Sequence, residues 1–269
     1  MREPGGSAGS ALLSILGEYV APQSPGVWQE TLVRAMSALG FPAATVRQAI
    51  SRAVRDGALT TTRHGNRAYV EVRDEARETL VRGAEHLRSS ITAVAPADTE
   101  WNVFIVRFRD KGTNERYHLR TSLLLKGLGY LGNGVWISPP SPFRDDVVQA
   151  LTAEPDTSVV ALRSRIEHPE VIEVVRRAWD IDAAAARYEE LLDRFSDRTA
   201  DGPEERFAAW TQLLQAWRHC TQADPGLPSG VLPPDWPRHR TVDVVAARRD
   251  EWRPDAHAYF AALTAKAPG

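Results

Sequence analysis

Three apolar stripes at helical spacing, each closed by a turn former, precede two extended segments within the first 73 residues. Leu12, Ile15, Leu16 and Tyr19 make the first stripe, with the steps of three and four that one buried helix face requires. Pro22 and Pro25 end it. Trp28, Leu32, Ala35, Met36 and Leu39 make the second, with Gly40 placed as a C-terminal cap. Val46, Ala49, Ile50, Ala53 and Val54 make the third, stopped by Asp56-Gly57. Leu59–Arg63 and Arg67–Val72 then read as strands around the turn formers His64-Gly65-Asn66. Three helices followed by a hairpin predict a winged helix-turn-helix. Asp74–Ser90 predicts a connecting helix with Asp74 as its N-cap.

The third stripe leaves Thr45, Arg47, Gln48, Ser51, Arg52 and Arg55 on the outward face. Arg47, Ser51 and Arg55 share one line, and Gln48 and Arg52 a neighbouring one. Arg suits guanine edges, Gln suits adenine, and Ser or Thr suits either, so this face matches what a major-groove helix offers. Arg63, His64 and Arg67 of the hairpin are expected at phosphates. Residues 43–69 hold five arginines and one aspartate, a net +4 in a chain whose formal charge is −2. A nucleic-acid surface is therefore a local patch here, not a property of the whole chain.

Further along, segment types alternate. Trp101–Phe108 is apolar on both faces and reads as a central strand. Asn114–Lys126, Phe143–Thr152 and Pro169–Ala178 read as helices, and Ser158–Arg163 as a strand. Gly132-Asn133 is placed as the turn of a hairpin between Gly129–Leu131 and Gly134–Ser138. The order β-α-β-β-α-β predicts a ferredoxin-like domain. From Ile181 onward the pattern is mostly helical, broken by the proline-rich stretch Asp224–Pro237. The expected fold is thus α+β, with a winged helix-turn-helix and connector over 1–97. A ferredoxin-like domain over 98–178 and a helical domain over 179–269 complete it.

Composition removes other classes. Cys220 is the only cysteine, which excludes an intrachain disulfide and a cysteine-built zinc cluster. No apolar run approaches the roughly 20 residues of a membrane span, and Glu18 interrupts the short apolar run Ala11–Leu16, so no signal peptide is expected. The reading is a cytoplasmic protein without membrane contact.

Four groups of motifs stand out: Leu12–Val20, Val27-Trp28 and Val46–Arg52; Arg116 and Arg120 followed by Gly127–Pro139; Ala178-Trp179-Asp180 with Arg187-Tyr188; and Trp217-Arg218, Asp224-Pro225, Leu227-Pro228 and Leu232–Pro237. Together they resemble the PaaX family, the phenylacetic acid degradation repressors. The resemblance implies a homodimer on palindromic double-stranded operator DNA, released by phenylacetyl-CoA or another CoA thioester. Such an effector needs cations for its phosphates and an apolar slot. Arg116, Arg120 and Arg218 are candidates for the first, and Trp179 for the second. His219-Cys220-Thr221 stands where the family usually carries an aromatic residue, which leaves a different acyl- or aryl-CoA open. The effector is expected to bind in residues 98–269, away from 43–69, so that a fragment 98–269 keeps the binding.

Two other classes stand beside the repressor. One is a winged-helix module that binds protein. The other is a metal-dependent nuclease built on the central domain, for which carboxylates are required. The first central strand contains none; Asp110 follows it between Arg109 and Lys111, and Asp145-Asp146 stands at a helix start where the dipole favours acidic residues. His118, His168, His219, His239 and His257 lack metal-ligand spacing, and no cofactor or metal motif or nucleophile elbow is present. Neither a catalytic residue, a metal nor a cofactor is expected.

Overall fold

The computed structural model describes residues 7–90, 100–109, 112–140, 144–166, 170–224 and 226–265. Asp110, Lys111, His168 and the 97/98 boundary lie outside them. The chain divides into two compact units, each discontinuous in sequence. One comprises 1–91, 191–218 and 240–269; the other comprises 92–190 and 219–239.

In the first unit, α1 (Ala8–Ile15) runs into a π-helical turn, Leu16–Val20. There the Ala21 amide reaches the Leu16 carbonyl at 2.8 Å. β1 (Gly26–Trp28), α2 (Gln29–Ala38), α3 (Ala43–Arg55), β2 (Leu59–His64), β3 (Arg67–Val72) and α4 (Asp74–Ser89) follow. Trp28 corrects the sequence reading: it closes β1 instead of opening a helix, and pairs with Tyr69 in a three-stranded sheet of order β1-β3-β2. The hairpin turn is also shorter than expected, because His64 pairs with Arg67 and leaves Gly65-Asn66 alone.

Both α2 and α3 end the same way. The Phe41 amide bonds to Met36 O and that of Gly40 to Ser37 O; Ala58 bonds to Ala53 O and Gly57 to Val54 O. These are Schellman ends, which need a left-handed residue, and Gly40 and Gly57 have φ of 90° and 77°. The buried Phe41 and Leu59 follow them, so each helix stops where an apolar anchor pulls the chain inward. Residues 191–218 and 240–269 supply the end of α8 (Ile181–Phe195), most of α9 (Gly202–Ala223) and most of α10 (Arg238–Ala265) to this same unit.

The second unit is built on β4 (Trp101–Phe108), α5 (Thr113–Leu125), β5 (Gly129–Gly132), β6 (Val135–Ser138), α6 (Arg144–Ala153), β7 (Thr157–Ser164) and α7 (Glu170–Ala178). Its antiparallel sheet has the order β5-β6-β4-β7, so Trp101–Phe108 is interior as its two apolar faces require. The hairpin turn is Asn133-Gly134, one residue beyond the expected pair. Gly132 pairs with Val135, a bulge precedes it, and Asn133 and Gly134 both have positive φ, as a two-residue primed turn demands.

One sheet face packs Phe104, Val106 and Trp136 against Leu123 of α5 and Val147 and Leu151 of α6. The other packs Trp101 and Ile137 against Val171, Val175 and Trp179. Gly129 lets that second layer close: a β-carbon there would meet the Ala178 side chain at 2.6 Å and the Trp179 ring at 2.8 Å. This explains why the glycine-rich hairpin and Ala178-Trp179 occur together. Among the described residues, no helix is long and apolar enough to cross a membrane.

Candidate nucleic-acid interface

Helix α3 buries Val46, Ala49 and Ile50 and leaves Arg47, Gln48, Ser51, Arg52 and Arg55 exposed. Thr45 is half-buried, as are Ala53 and Val54, so the apolar stripe thins toward the C-terminal end. Pro42 precedes the helix in an extended conformation and offers no side-chain cap. The exposed line of one Gln, one Ser and three Arg therefore rides on a helix fixed from behind by packing.

The hairpin presents its basic residues unequally. Arg63 and His64 are exposed. The Arg67 guanidinium instead lies 4.4 Å from the centre of the Trp28 ring. His64 and Tyr69 approach that indole edge-on at 5.6 and 5.2 Å. Trp28 thus braces the hairpin, and Arg67, expected at a phosphate, is half-buried in that brace.

The four residues expected at an effector are divided between the two units. Arg116, Arg120 and Trp179 belong to the second unit and Arg218 to the first. Arg120 stacks on Tyr130, its guanidinium 4.3 Å from the ring centre, and Arg116 is exposed on α5. Trp179 is only 8% exposed and donates its indole N–H to Gly127 O at 3.3 Å. The ring is a wall of the core, held just past the end of helix α5. The fragment 98–269 also loses its rationale, because 191–218 and 240–269 share a compact unit with 1–91.

Two polar centres went unread in the sequence. In the first unit, Glu18 is buried on the π-helical turn. Its Oε1 accepts from Arg253 Nε at 2.8 Å and from Trp210 Nε1 at 3.4 Å, and lies 2.8 Å from His257 Nε2. Arg88 Nη1 stands 3.9 Å from Oε2. Burial alone would raise the Glu18 pKa, but the bonds from His257 and Arg253 outweigh it, and the net direction is down. The neighbouring Tyr19 is buried, shares a hydrogen bond with Thr211 at 3.2 Å, and stacks on Phe260.

In the second unit, Asp224 is fully buried and accepts from Tyr188 Oη at 2.9 Å, Trp236 Nε1 at 3.1 Å, and the amides of Gly226 and Leu227 at 3.0 and 2.9 Å. Arg238 Nη1 lies 3.7 Å from it. The motif residues Tyr188, Asp224, Leu227 and Trp236 are therefore one knot that ties the proline-rich stretch to α8. Cys220 is buried beside it and its thiol is pushed up to about 12 by burial, which leaves a protonated packing residue and not a nucleophile. Among the described residues, no group of three or more His, Cys, Asp or Glu side chains could hold a metal.

Known proteins resemble the chain along most of its length. Family models match residues 7–76 (PaaX-like protein), 94–172 (PaaX protein central Cas2-like domain) and 179–262 (PaaX-like protein C-terminal domain). The transcriptional repressor PaaX of Escherichia coli (strain K12) is 26% identical over 257 residues, covering 87% of this chain and 76% of that one. The fold is similar to that of the uncharacterized protein Rv0674 from Mycobacterium tuberculosis, with a TM-score of 0.55 and 22% identity over 94% of this chain and 98% of that one. Matched by the models of all three parts of that family in their order along the sequence, the chain belongs to the PaaX family.

Proposed function

We propose that this protein is a transcriptional repressor, cytoplasmic and without catalytic activity, that binds an operator through α3 and the β2–β3 hairpin. The observation that carries the reading is the split of α3: Val46, Ala49 and Ile50 inside, Arg47, Gln48, Ser51 and Arg52 outside. Helices α1 to α3 with the hairpin form, in this reading, a winged helix-turn-helix, α3 being the recognition helix and Arg63 the phosphate contact of the wing. The kinship with a transcriptional repressor supports it.

The sheet order β5-β6-β4-β7 with α5 and α6 on one face supports reading this part as a ferredoxin-like domain, and in this reading the domain is the dimer surface. Helix α7 packs on the β5 side of the other face. On that face Val160 and Leu162 of β7 are 54% and 47% exposed, beside Ile105 and Val103. A second copy covering these residues would bring two α3 helices to an inverted repeat. Two half-sites supply the specificity that one helix lacks. Release is by a small-molecule effector, of the acyl- or aryl-CoA class implied by the family resemblance. Selection of the full chain on a random pool of duplex DNA tests the reading. It should enrich one inverted repeat with half-sites about one helical turn apart. Enrichment of no sequence would contradict it.

A further inference from the structure

The three-stranded sheet of the first unit has two unlike faces. Side chains alternate along a strand, and residues paired across strands share a face. Val27 pairs with Val70, Val70 with Thr61, and Leu59 with Val72. Val27, Leu59, Val70 and Val72 are buried, so theirs is the face that packs on the helices. Arg63 follows Leu59 and Thr61 at steps of two and projects to that same side, opposite Ala68. Trp28, Tyr69, Thr62, Arg67 and His64 share the other face. There the Trp28 indole gathers three side chains: Arg67 over its ring, His64 and Tyr69 edge-on. Arg67 Nη2 is buried and meets no hydrogen-bond partner among the described residues, so the indole is what offsets the cost of its charge there. The Tyr69 ring in turn lies over Gly26, where a β-carbon would meet it at 2.9 Å. Trp28 is also the last residue of β1 and the N-cap position of α2, and α2 packs on α3. One indole therefore joins the hairpin end that carries Arg63 and His64 to the helix that seats α3.

We propose that Trp28 is a positioning residue for DNA binding: it touches no DNA itself, and it holds the hairpin so that Arg63 meets a phosphate while α3 lies in the groove. The inference rests on the repressor reading above and adds the residue that sets its geometry. A two-stranded hairpin with nothing behind it is marginal in water, and ordering a loose tip at the moment of binding costs affinity. The packing of Arg67, His64 and Tyr69 around Trp28 orders the hairpin beforehand. Arg63 supplies the charge, on the side of the sheet where the helices lie, and Trp28 fixes where that charge stands.

The test uses the full chain and random duplex DNA, by salt titration. Arg63→Ala flattens the log–log slope by about 0.9. Trp28→Ala should flatten it by the same amount, and the double variant by no more, because both substitutions act through one phosphate contact. Trp28→Phe keeps a ring under Arg67 and should restore the wild-type slope. A Trp28 needed for stability alone would lower the melting temperature of Trp28→Ala and leave the slope of the folded protein as it was. Amide hydrogen exchange, read without DNA, should be about tenfold faster in the hairpin of Trp28→Ala than in the wild type, with α1 unchanged. Trp28→Leu takes the place of Trp28→Ala in both measurements if the alanine variant does not fold. Unchanged hairpin exchange, a wild-type slope in Trp28→Ala, or a double variant flatter than either single one overturns the inference even where operator binding stands. If the hairpin loosens as expected while the wild type binds no duplex DNA, the repressor reading fails and the hold of Trp28 on the hairpin stands.

Discussion

Glu18 and Arg253, 235 residues apart in sequence, meet at 2.8 Å in an ion pair whose carboxylate is buried and whose guanidinium reaches solvent. The pair fastens the first helical segment to the last. With His257 and Trp210 on the same oxygen, the carboxylate has lost water but kept donors, the condition under which a buried charge is stable. A Glu18→Ala substitution leaves the buried Trp210 indole N–H without this acceptor, while Arg253 keeps access to water, and should cost about 1–3 kcal/mol of stability. Glu18→Gln should cost less. Because the folded-state pKa of Glu18 is lowered, its contribution is complete above the pKa it has in the unfolded chain. It is lost as the pH falls through the lower, folded-state value. Urea unfolding at a series of acidic pH values should show the gap between wild type and Glu18→Gln shrinking as pH falls. A gap that widens would contradict this assignment.

Arg63 and Arg67 separate contact from scaffold. Arg63→Ala removes an exposed cation and should flatten the salt dependence of DNA binding by about 0.9 in log–log slope for one phosphate contact, with the melting temperature unchanged. Arg67→Ala removes the cation over Trp28 and should destabilise the fold by about 0.5–2 kcal/mol. Salt titrations and thermal melts of the two variants check this. Equal effects of both on the slope and none on the melts would show Arg67 to be an ordinary phosphate contact.

The Asp224 knot predicts a purely structural phenotype. Asp224→Ala takes the buried acceptor away from the Tyr188 hydroxyl and the Trp236 indole N–H and removes the carboxylate beside Arg238. A loss of about 3–5 kcal/mol is expected in urea unfolding. A loss under about 1 kcal/mol would mean that the stretch around Pro228 is held in another way.

The double substitution Val160→Asp and Leu162→Asp should convert a dimer to a folded monomer, because both side chains are exposed and carry none of the unit's own core. Sedimentation of both proteins at micromolar concentration decides it. A variant that stays dimeric, or a wild type that is monomeric, would contradict the sheet-face dimer.

What could be read from sequence was local. The stripes of α2 and α3 stop at Gly40 and Asp56-Gly57, where the Schellman ends stand, because helix ends are written in neighbouring residues. Trp28 fits the helical spacing of α2, and its strand is three residues long, too short to show alternation. The Gly132-Asn133-Gly134 run allows two turns, and only the strand register, Gly132 with Val135, chooses between them. Glu18 gave no signal: a carboxylate inside an apolar stripe has no local partner, and Arg253 and His257 belong to a distant helix. The Asp224 motif showed as a pattern, but its reason is the convergence of four donors from separate segments. For the same reason the joining of α9 and α10 residues with the N-terminal helices could not be seen; hydrophobic periodicity tells that a face is buried and not what buries it.

Binding of the full chain to its selected operator and to random duplex DNA, for wild type, Gln48→Ala and Ser51→Ala, tests the role of α3 most directly. Each substitution should weaken operator binding by about 1–3 kcal/mol and leave binding to random DNA nearly unchanged. Equal losses on both DNAs, or no loss on either, would contradict the assignment of α3 as the helix that reads the sequence.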